Sequence, residues 1–192
     1  MIEPLYQQEL RLETARLILC PLSMLDADLG AALFTDPEAV CFVGDVYSRD
    51  KLSRHLETDV RRGAGGRIGI WCVTRKDAGE KIGSGILLPL PINEDDTVWS
   101  LIVEDSYPDV DTEVGYLLVR SAWGQGFATE ICRRLLSYGF EKTTLSEIVA
   151  VTHLENAASQ NVLGKCGFKP DRWRRRCAPR LQNHQTLGVK TN

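Results

Sequence analysis

The stretch from Glu113 to Glu130 carries the residues best suited to chemistry. It reads Glu-Val-Gly-Tyr-Leu-Leu-Val-Arg-Ser-Ala-Trp-Gly-Gln-Gly-Phe-Ala-Thr-Glu, which is a strand pattern, a glycine-bearing loop and a helix pattern in that order. The first turn of a helix presents unpaired N–H groups and the positive end of the helix dipole, so this arrangement can bind a phosphate or pyrophosphate. Gly124 and Gly126 have no Cβ atom and let the backbone approach such a ligand closely. The same two glycines would also suit a tight turn that binds nothing.

Two common nucleotide-binding motifs do not fit this loop. The dinucleotide fingerprint G-x-G-x-x-G/A needs Gly or Ala where this chain has Thr129, and too few residues follow for several more βαβ units. The nucleotide P-loop needs Gly-Lys-Ser/Thr, which does not occur here. Both nucleotide-binding readings are therefore disfavoured.

Three motifs resemble the GNAT superfamily of N-acetyltransferases. Trp123-Gly-Gln-Gly-Phe-Ala128 resembles its acyl-CoA loop, R/Q-x-x-G-x-G/A, with Trp123 in place of the usual Arg or Gln. The segment from Asn156 to Phe168 is similar to its helix-4 signature, N-x-x-S/A followed by K-x-G-F. The opening from Leu12 to Leu22 is similar to the L-x-T-x-R-L-x-L-R-P-L start of the RimJ/RimL-type branch, the ribosomal-protein alanine acetyltransferases. The last two dozen residues or so match poorly, which leaves one wall of the acceptor site undefined.

The resemblance implies acetyl-CoA as co-substrate and assigns residues to bind it. Backbone groups near Leu118 and Val119 would pair with the pantetheine amides. Asn156 and Ser159, on the later helix, would also contact acetyl-CoA. The remaining contacts would come from the pyrophosphate loop and the start of the helix that follows it, which comprise Trp123, Gly124, Gln125, Gly126, Phe127, Ala128 and Thr129.

The implied reaction is the direct attack of a primary amine on the thioester, in which the amine loses a proton and the departing CoA thiolate gains one. An α-amino group, with an ordinary pKa near ~8, needs less help than a lysine near ~10.4. Glu113 resembles the family position proposed to take the amine proton, directly or through water. A solvated carboxylate at a strand edge explains Glu113 equally well.

The group that protonates the thiolate is less obvious. Alignment through Asn156 and the Lys165–Phe168 motif places Leu163 where many superfamily members have a tyrosine. Ser159 is then the first choice for the acid and Asn156 the second, although both residues also suit helix capping. Glu130 could contact substrate, but an i,i+4 pair with Arg134 explains it more simply.

Charge is distributed unevenly along the chain. The segment from Ile82 to Val119 has eight acids and no Lys or Arg, whereas residues 165–192 have eight Lys or Arg and one acid, Asp171. An acidic rim would concentrate an amine acceptor, which is a cation before it reacts, but charge runs are also typical of solvated loops. We expect a cationic acceptor, on a ribosomal protein or peptide N-terminus or on a small molecule.

The elements that would position these groups form one domain over residues 1–192. The patterns predict helices from Ser23 through Leu33, from Ser48 to Gly63, over Phe127–Phe140 and over Asn156–Cys166, and strands in the intervening segments. These strands are Leu10–Cys20, a hairpin of 67–74 with 81–88, 112–119, 147–152, a short one at 98–103, and one or two in the basic tail. The fold class is α/β (α+β), and the resemblance implies a mixed, mostly antiparallel sheet splayed between its fourth and fifth strands and flanked by about four helices.

Composition excludes several other classes of protein. The longest apolar run is too short for the roughly 20 residues that span a bilayer, and no secretory signal is evident, so we expect a cytoplasmic protein. Six scattered cysteines without a C-x-x-C pair do not predict a metal site or a disulfide framework. A catalytically weak acyl-CoA-binding protein remains an alternative, because the helix tyrosine is missing. A nucleic-acid-binding module built on Arg172–Arg180 is disfavoured, because no aromatic-interleaved binding motif is present and the remainder of the chain is acidic. A monomer or a homodimer would both suit the chain.

Overall fold

The computed structural model describes residues 2–91, 94, 96–170 and 184–190. In these ranges one eight-stranded sheet has the order β1-β2-β3-β4-β5-β6-β8-β7. All neighbouring strands are antiparallel except β5 and β6, which are parallel, so the predicted mixed and mostly antiparallel sheet is confirmed. The strands are β1 Leu12–Glu13, β2 Leu17–Pro21, β3 Gly69–Arg75, β4 Lys81–Pro89, β5 Thr112–Leu118, β6 Glu147–His153, β7 Lys169–Pro170 and β8 His184–Lys190.

Helices cover both faces of the sheet. They are α1 Gln7–Leu10, α2 Ala27–Phe34, α3 Pro37–Val40, α4 Arg49–Asp59, α5 Phe127–Lys142 and α6 Ala157–Lys165. The longest, α5, buries the predicted stripe of Phe127, Ile131, Leu135 and Tyr138 in the main core, to which α6 adds Leu163. On the opposite face α2 packs Leu29 and Leu33 against the sheet, and α4 lies against α2. Four main helices therefore flank the sheet, as expected.

Helix starts follow the local signals in the sequence. The hydroxyl of Ser23 and the carboxylate of Asp26 form a reciprocal capping box ahead of α2. The hydroxyl of Ser48 accepts a hydrogen bond from the Lys51 N–H at the start of α4. Both predicted starts are confirmed, although α4 ends at Asp59 and not at Gly63.

Two strand predictions are wrong. The first strand is predicted over Leu10–Cys20, but Leu10 belongs to the helical turn α1. The strand residues there form two short antiparallel strands, β1 from Leu12 and β2 from Leu17. The apolar patch at 98–103 contains a 3₁₀ turn, Trp99–Leu101, where we expected a strand. The carbonyls of Val103 and Glu104 accept hydrogen bonds from the N–H groups of Ala64 and Gly65, which belong to a turn and not to a strand.

The strands expected to splay apart, the fourth and the fifth, are β5 and β6 in the structure, because the two-residue strand β1 adds one to the numbering. These two parallel strands pair at a single position, Glu113 opposite Val149. Each strand keeps a full ladder on its outer side, β5 with β4 and β6 with β8. The gap therefore opens toward the C-terminal ends of β5 and β6, where the loop 119–126 and the start of α6 follow.

Of the basic tail, the described part forms β7 and β8 at the sheet edge. The arginines 172–180 lie outside the described residues. No helix in the described part of the chain is both long and apolar enough to cross a bilayer.

Candidate active site

The loop after β5 presents an uncapped helix start. After a 3₁₀ turn at Arg120–Ala122, Gly124 and Gly126 adopt φ angles of +72° and +81°, which favour glycine. The start of α5 has no side-chain cap, and the first N–H bonded back is that of Glu130, to the Gly126 carbonyl at 3.2 Å. The N–H groups of residues 127–129 are thus available for an anion, as the loop sequence predicts.

Trp123 closes the loop against the end of β5. Its indole N–H donates to the Leu118 carbonyl at 2.9 Å, while its side chain remains partly exposed. The Val119 N–H donates to the Ile82 carbonyl of β4 at 3.0 Å. Because bonding direction alternates along an antiparallel strand, the backbone groups of Leu118 and Tyr116 point away from β4, toward the gap. The Leu118 N–H and the backbone groups of Tyr116 are therefore free for pantetheine, whereas the Leu118 carbonyl is bonded to Trp123 and the Val119 N–H to Ile82.

Glu113 lies at the closed end of the gap. Its half-buried side chain stands at the one position where β5 and β6 still pair. Its Oε1 accepts a hydrogen bond from the Val151 N–H of β6 at 3.2 Å. The carboxylate is thus fixed between the two strands rather than solvated at a strand edge.

Asn156 and Ser159 lie at the start of α6, next to the open side of the gap. The Asn156 side chain caps the helix by accepting from the Ser159 N–H at 2.9 Å. The Ser159 hydroxyl lies 3.0 Å from the Tyr116 hydroxyl, which reaches it from β5. Leu163, at the usual tyrosine position, is only 1% exposed and packs in the main core.

Tyr116 is a site residue that sequence reasoning missed. Burial raises the pKa of its phenol and the bond with Ser159 lowers it, with a net rise, so the hydroxyl stays protonated at neutral pH. A usable signal was present in the strand alternation, since Tyr116 shares a face with Val114 and Leu118, both of which pack toward α5.

Glu130 has different partners from the one we expected. Its carboxylate accepts hydrogen bonds from Thr14 and Arg16, in the turn between β1 and β2, and pairs with the Arg16 guanidinium at 2.7 Å. The expected pair with Arg134 is wrong, because the β1–β2 hairpin packs beside the first turn of α5. Burial raises the pKa of Glu130 and the bonds from Thr14 and Arg16 lower it, with a net lowering. A groove of about 440 Å³ lies beside these groups.

The acidic segment, residues 94–113, connects β4 to β5 and lies at the N-terminal end of β5. Asp109 is exposed, Asp111 is half-buried, and Asp95 lies outside the described residues. Asp59, at the end of α4, joins this cluster: burial and the charge of Asp96 raise the pKa of Asp59 to about 6. The described residues hold no group of three or more His, Cys, Asp or Glu side chains arranged for a metal.

Comparisons with known proteins identify the family of the chain. A family model described as Acetyltransferase (GNAT) domain matches residues 16–169. The chain is 30% identical over 159 residues to the FsC-acetyl coenzyme A-N(2)-transacetylase of Aspergillus fumigatus, covering 82% of this chain and 64% of that protein.

Two solved structures show the same fold. An acetyltransferase from Agrobacterium tumefaciens superposes with a TM-score of 0.75 and 23% identity over 98% of this chain and 99% of that one. RimL, a ribosomal L7/L12 alpha-N-protein acetyltransferase solved with coenzyme A, gives a TM-score of 0.71 at 14% identity, over 94% and 97% of the two chains. The chain belongs to the GNAT family, in its RimJ/RimL-type branch, and is an acetyl-CoA-dependent N-acetyltransferase.

Proposed function

We propose that the protein transfers the acetyl group of acetyl-CoA to a primary amine by direct attack, with both substrates bound together. The observation that carries this proposal is the gap between β5 and β6. It has a carboxylate, Glu113, at its closed end and the uncapped start of α5 at its open end. An extended pantetheine arm fits between these two ends, with its thioester toward Glu113.

The two ends of the gap serve different parts of acetyl-CoA. The pyrophosphate binds to the N–H groups at Gln125–Thr129, where the helix dipole adds to the hydrogen bonds. The pantetheine amides pair with the Leu118 N–H and the backbone groups of Tyr116, in place of the missing β5–β6 ladder. Trp123, whose indole bonds to the Leu118 carbonyl, borders this path.

The reaction needs one proton taken and one given. The amine nitrogen attacks the thioester carbon, the C–S bond breaks, and the amine proton passes to Glu113 directly or through water. The CoA thiolate takes its proton from the Ser159 hydroxyl, which recovers one from the Tyr116 phenol 3.0 Å away, and the phenol is reprotonated by water. Asn156 positions Ser159 through the helix cap. Tyr116 thus offers a phenol from β5 beside the serine, where Leu163 leaves none on α6.

The acceptor is proposed to be a cationic amine. The names of the two named relatives both specify transfer to nitrogen: N(2) in the fungal transacetylase and an alpha-N-protein site in RimL. An α-amine loses its proton more easily than a lysine, which suits a site whose one placed base is a carboxylate. The acidic segment next to Glu113 would attract the amine in its protonated form.

A catalytically weak acyl-CoA-binding protein is the competing function, because Leu163 replaces the usual tyrosine. Thiol release from acetyl-CoA should be followed over a panel of peptides with free N-termini, the same peptides blocked at the N-terminus, and polyamines. We expect steady-state turnover with at least one class of amine and a product acetylated at nitrogen by mass spectrometry. Tight calorimetric binding of CoA without turnover on any amine would favour the competing function.

A further inference from the structure

The opening motif Leu12–Leu22 has a place in the site that its sequence does not reveal. Its Thr14 and Arg16 lie in the β1–β2 turn and meet Glu130 in the first turn of α5. The Thr14 hydroxyl donates to Glu130 Oε1 at 2.5 Å, and the Arg16 backbone N–H donates to the same oxygen at 2.9 Å. The Arg16 Nε donates to Glu130 Oε2 at 2.8 Å, which completes a two-oxygen contact.

Arg16 also touches the pyrophosphate loop on both sides of Gly126. Its Nη1 donates to the Gln125 carbonyl at 3.0 Å, and its guanidinium carbon lies 4.4 Å from the centre of the Phe127 ring. The peptide between Gln125 and Gly126 is trans, so its C=O and N–H point in opposite directions. Holding the carbonyl against Arg16 therefore turns the Gly126 N–H away from Arg16, outward from the loop.

The loop's own side-chain bonds run from Trp123 to the Leu118 carbonyl and from Gln125 to the Ser121 carbonyl, and neither of them holds the Gln125 carbonyl. Gly124 and Gly126 have positive φ angles here, but glycine can adopt many other backbone conformations, so these residues do not restrict the loop to one of them. The start of α5 has no side-chain cap that would hold it. The first position of the family loop motif is Trp123, which has no positive charge and bonds to the Leu118 carbonyl instead. Arg120 within the loop pairs with Asp36 and Glu38, and the guanidinium that bonds to the Gln125 carbonyl comes from Arg16, more than 100 residues earlier in the chain.

We infer that Arg16 is a positioning residue for acetyl-CoA binding: anchored by Glu130, it fixes the Gln125 carbonyl so that the loop N–H groups face the phosphates. The inference rests on the proposed pyrophosphate site. It explains why the Leu-x-Thr-x-Arg opening and the Ala-Thr-Glu end of the loop motif occur in the same chain, since Thr14, Arg16 and Glu130 form one network.

The test compares Arg16→Ala, Arg16→Lys and Glu130→Gln with Arg54→Ala as a control. Arg54 is an exposed arginine of α4 that donates to the Asp50 carbonyl of its own helix. Calorimetric titration with CoA should show about tenfold weaker binding for Arg16→Ala and a smaller loss for Glu130→Gln, whereas Arg54→Ala binds as wild type does. Lysine cannot bond to Glu130 and Gln125 in the same fork geometry, so Arg16→Lys should restore only part of the affinity.

Two further measurements separate positioning from a general structural role. The double variant Arg16→Ala, Glu130→Gln should bind CoA no more weakly than Arg16→Ala alone, because both changes break one network. KM for acetyl-CoA should rise more than kcat falls, and KM for S-acetylpantetheine, which has no pyrophosphate, should stay within about twofold of wild type.

Glu130→Gln that binds CoA as tightly as wild type or more tightly, while Arg16→Ala loses affinity, would overturn the inference, because Arg16 would then act by direct contact with phosphate. Unchanged CoA affinity in a folded Arg16→Ala protein would overturn it as well. A wild-type protein that binds CoA but acetylates no amine would end the proposed function and leave this inference standing.

Discussion

The proposed acetyl-CoA side of the site and its proposed acceptor side are built from different kinds of group. The acetyl-CoA side consists of the end of β5, the loop 119–126 and the starts of α5 and α6, and it offers mostly backbone N–H and C=O groups. The acceptor side consists of the acidic segment and the end of α4, and it offers carboxylates. Backbone groups recognise a ligand that is always the same, whereas exposed side chains are free to vary with the acceptor.

This contrast predicts how each side responds to substitution. On the acetyl-CoA side a single change should cause a large and specific loss, because each group has a fixed geometry. On the acceptor side several acids share the work, so single changes should have small effects that depend on salt or pH. The following experiments measure that difference.

Ser159→Ala should have the largest effect. Removal of the hydroxyl that faces the thiolate should lower kcat on the order of 10²-fold, with little change in CoA affinity by calorimetry. Tyr116→Phe, which removes the partner hydroxyl at 3.0 Å, should lower kcat by a smaller factor. Ser53→Ala on α4, whose hydroxyl bonds to the Arg49 carbonyl, serves as the control. An unchanged kcat for Ser159→Ala, when chemistry limits turnover, would point to solvent or another donor.

Gly126→Val should weaken acetyl-CoA binding about 30-fold. Its side chain would start 3.6 Å from Arg16 Nη2 and displace the loop N–H groups, and the loss of one hydrogen bond to a charged group costs about 2 kcal/mol. The branched side chain would also strain a residue at φ +81°. Gly79→Val is a matched control, since Gly79 has a φ of +68°, open space around it and a place in the β3–β4 turn. It should cost comparable stability without changing CoA affinity. Equal affinity losses in both folded variants would remove the basis of the pyrophosphate assignment.

The two sides also differ in how far the sequence predicts them. The helix and strand over 112–140 and the Asn156 cap follow from local signals, because glycine, capping residues and apolar spacing act within one element. The Tyr116–Ser159 and Arg16–Glu130 contacts join residues 43 and 114 positions apart, and no local pattern encodes them. On the acceptor side the apolar patch at 98–103 predicted a strand, but an apolar segment becomes a strand only where a neighbouring strand pairs with it, and its own sequence does not show whether one does.

Asp59→Asn should stabilise the folded protein at neutral pH. The folded-state pKa of about 6 exceeds the ordinary value of 3.8, so the folded state keeps a proton that the unfolded state has lost between these values. The free energy of unfolding therefore falls as the pH rises from about 4 to about 6. Above pH 6 the folded protein has the full destabilisation that comes from the ionised Asp59 carboxylate. Two pKa units correspond to about 3 kcal/mol, which partial exposure reduces to about 1 kcal/mol.

Urea unfolding of wild type and Asp59→Asn at pH 4 and pH 7.5 measures this cost. The variant should be more stable by about 1 kcal/mol at pH 7.5 and no more stable at pH 4. Glu57→Gln removes one negative charge from an exposed side chain of the same helix turn and controls for net charge. A stability difference between wild type and Asp59→Asn that is the same at both pH values would show that Asp59 does not hold a proton near neutrality.

The smallest effect concerns the attraction of the acceptor. The double variant Asp109→Asn, Asp111→Asn should raise KM for a cationic amine about threefold at low salt and leave KM for acetyl-CoA unchanged, because the two acids precede Glu113 on the side away from the loop. Raising the ionic strength should increase the wild-type KM in the same direction, since surface attraction is screened over about 8 Å at 0.15 M. Asp77→Asn with Glu80→Gln removes two acids from the β3–β4 turn, at the opposite end of the sheet, and should not change the amine KM. If Asp109→Asn, Asp111→Asn keeps both the wild-type amine KM and its salt dependence, the acidic segment is a solvated loop, and acceptor selection must come from the other elements that border Glu113.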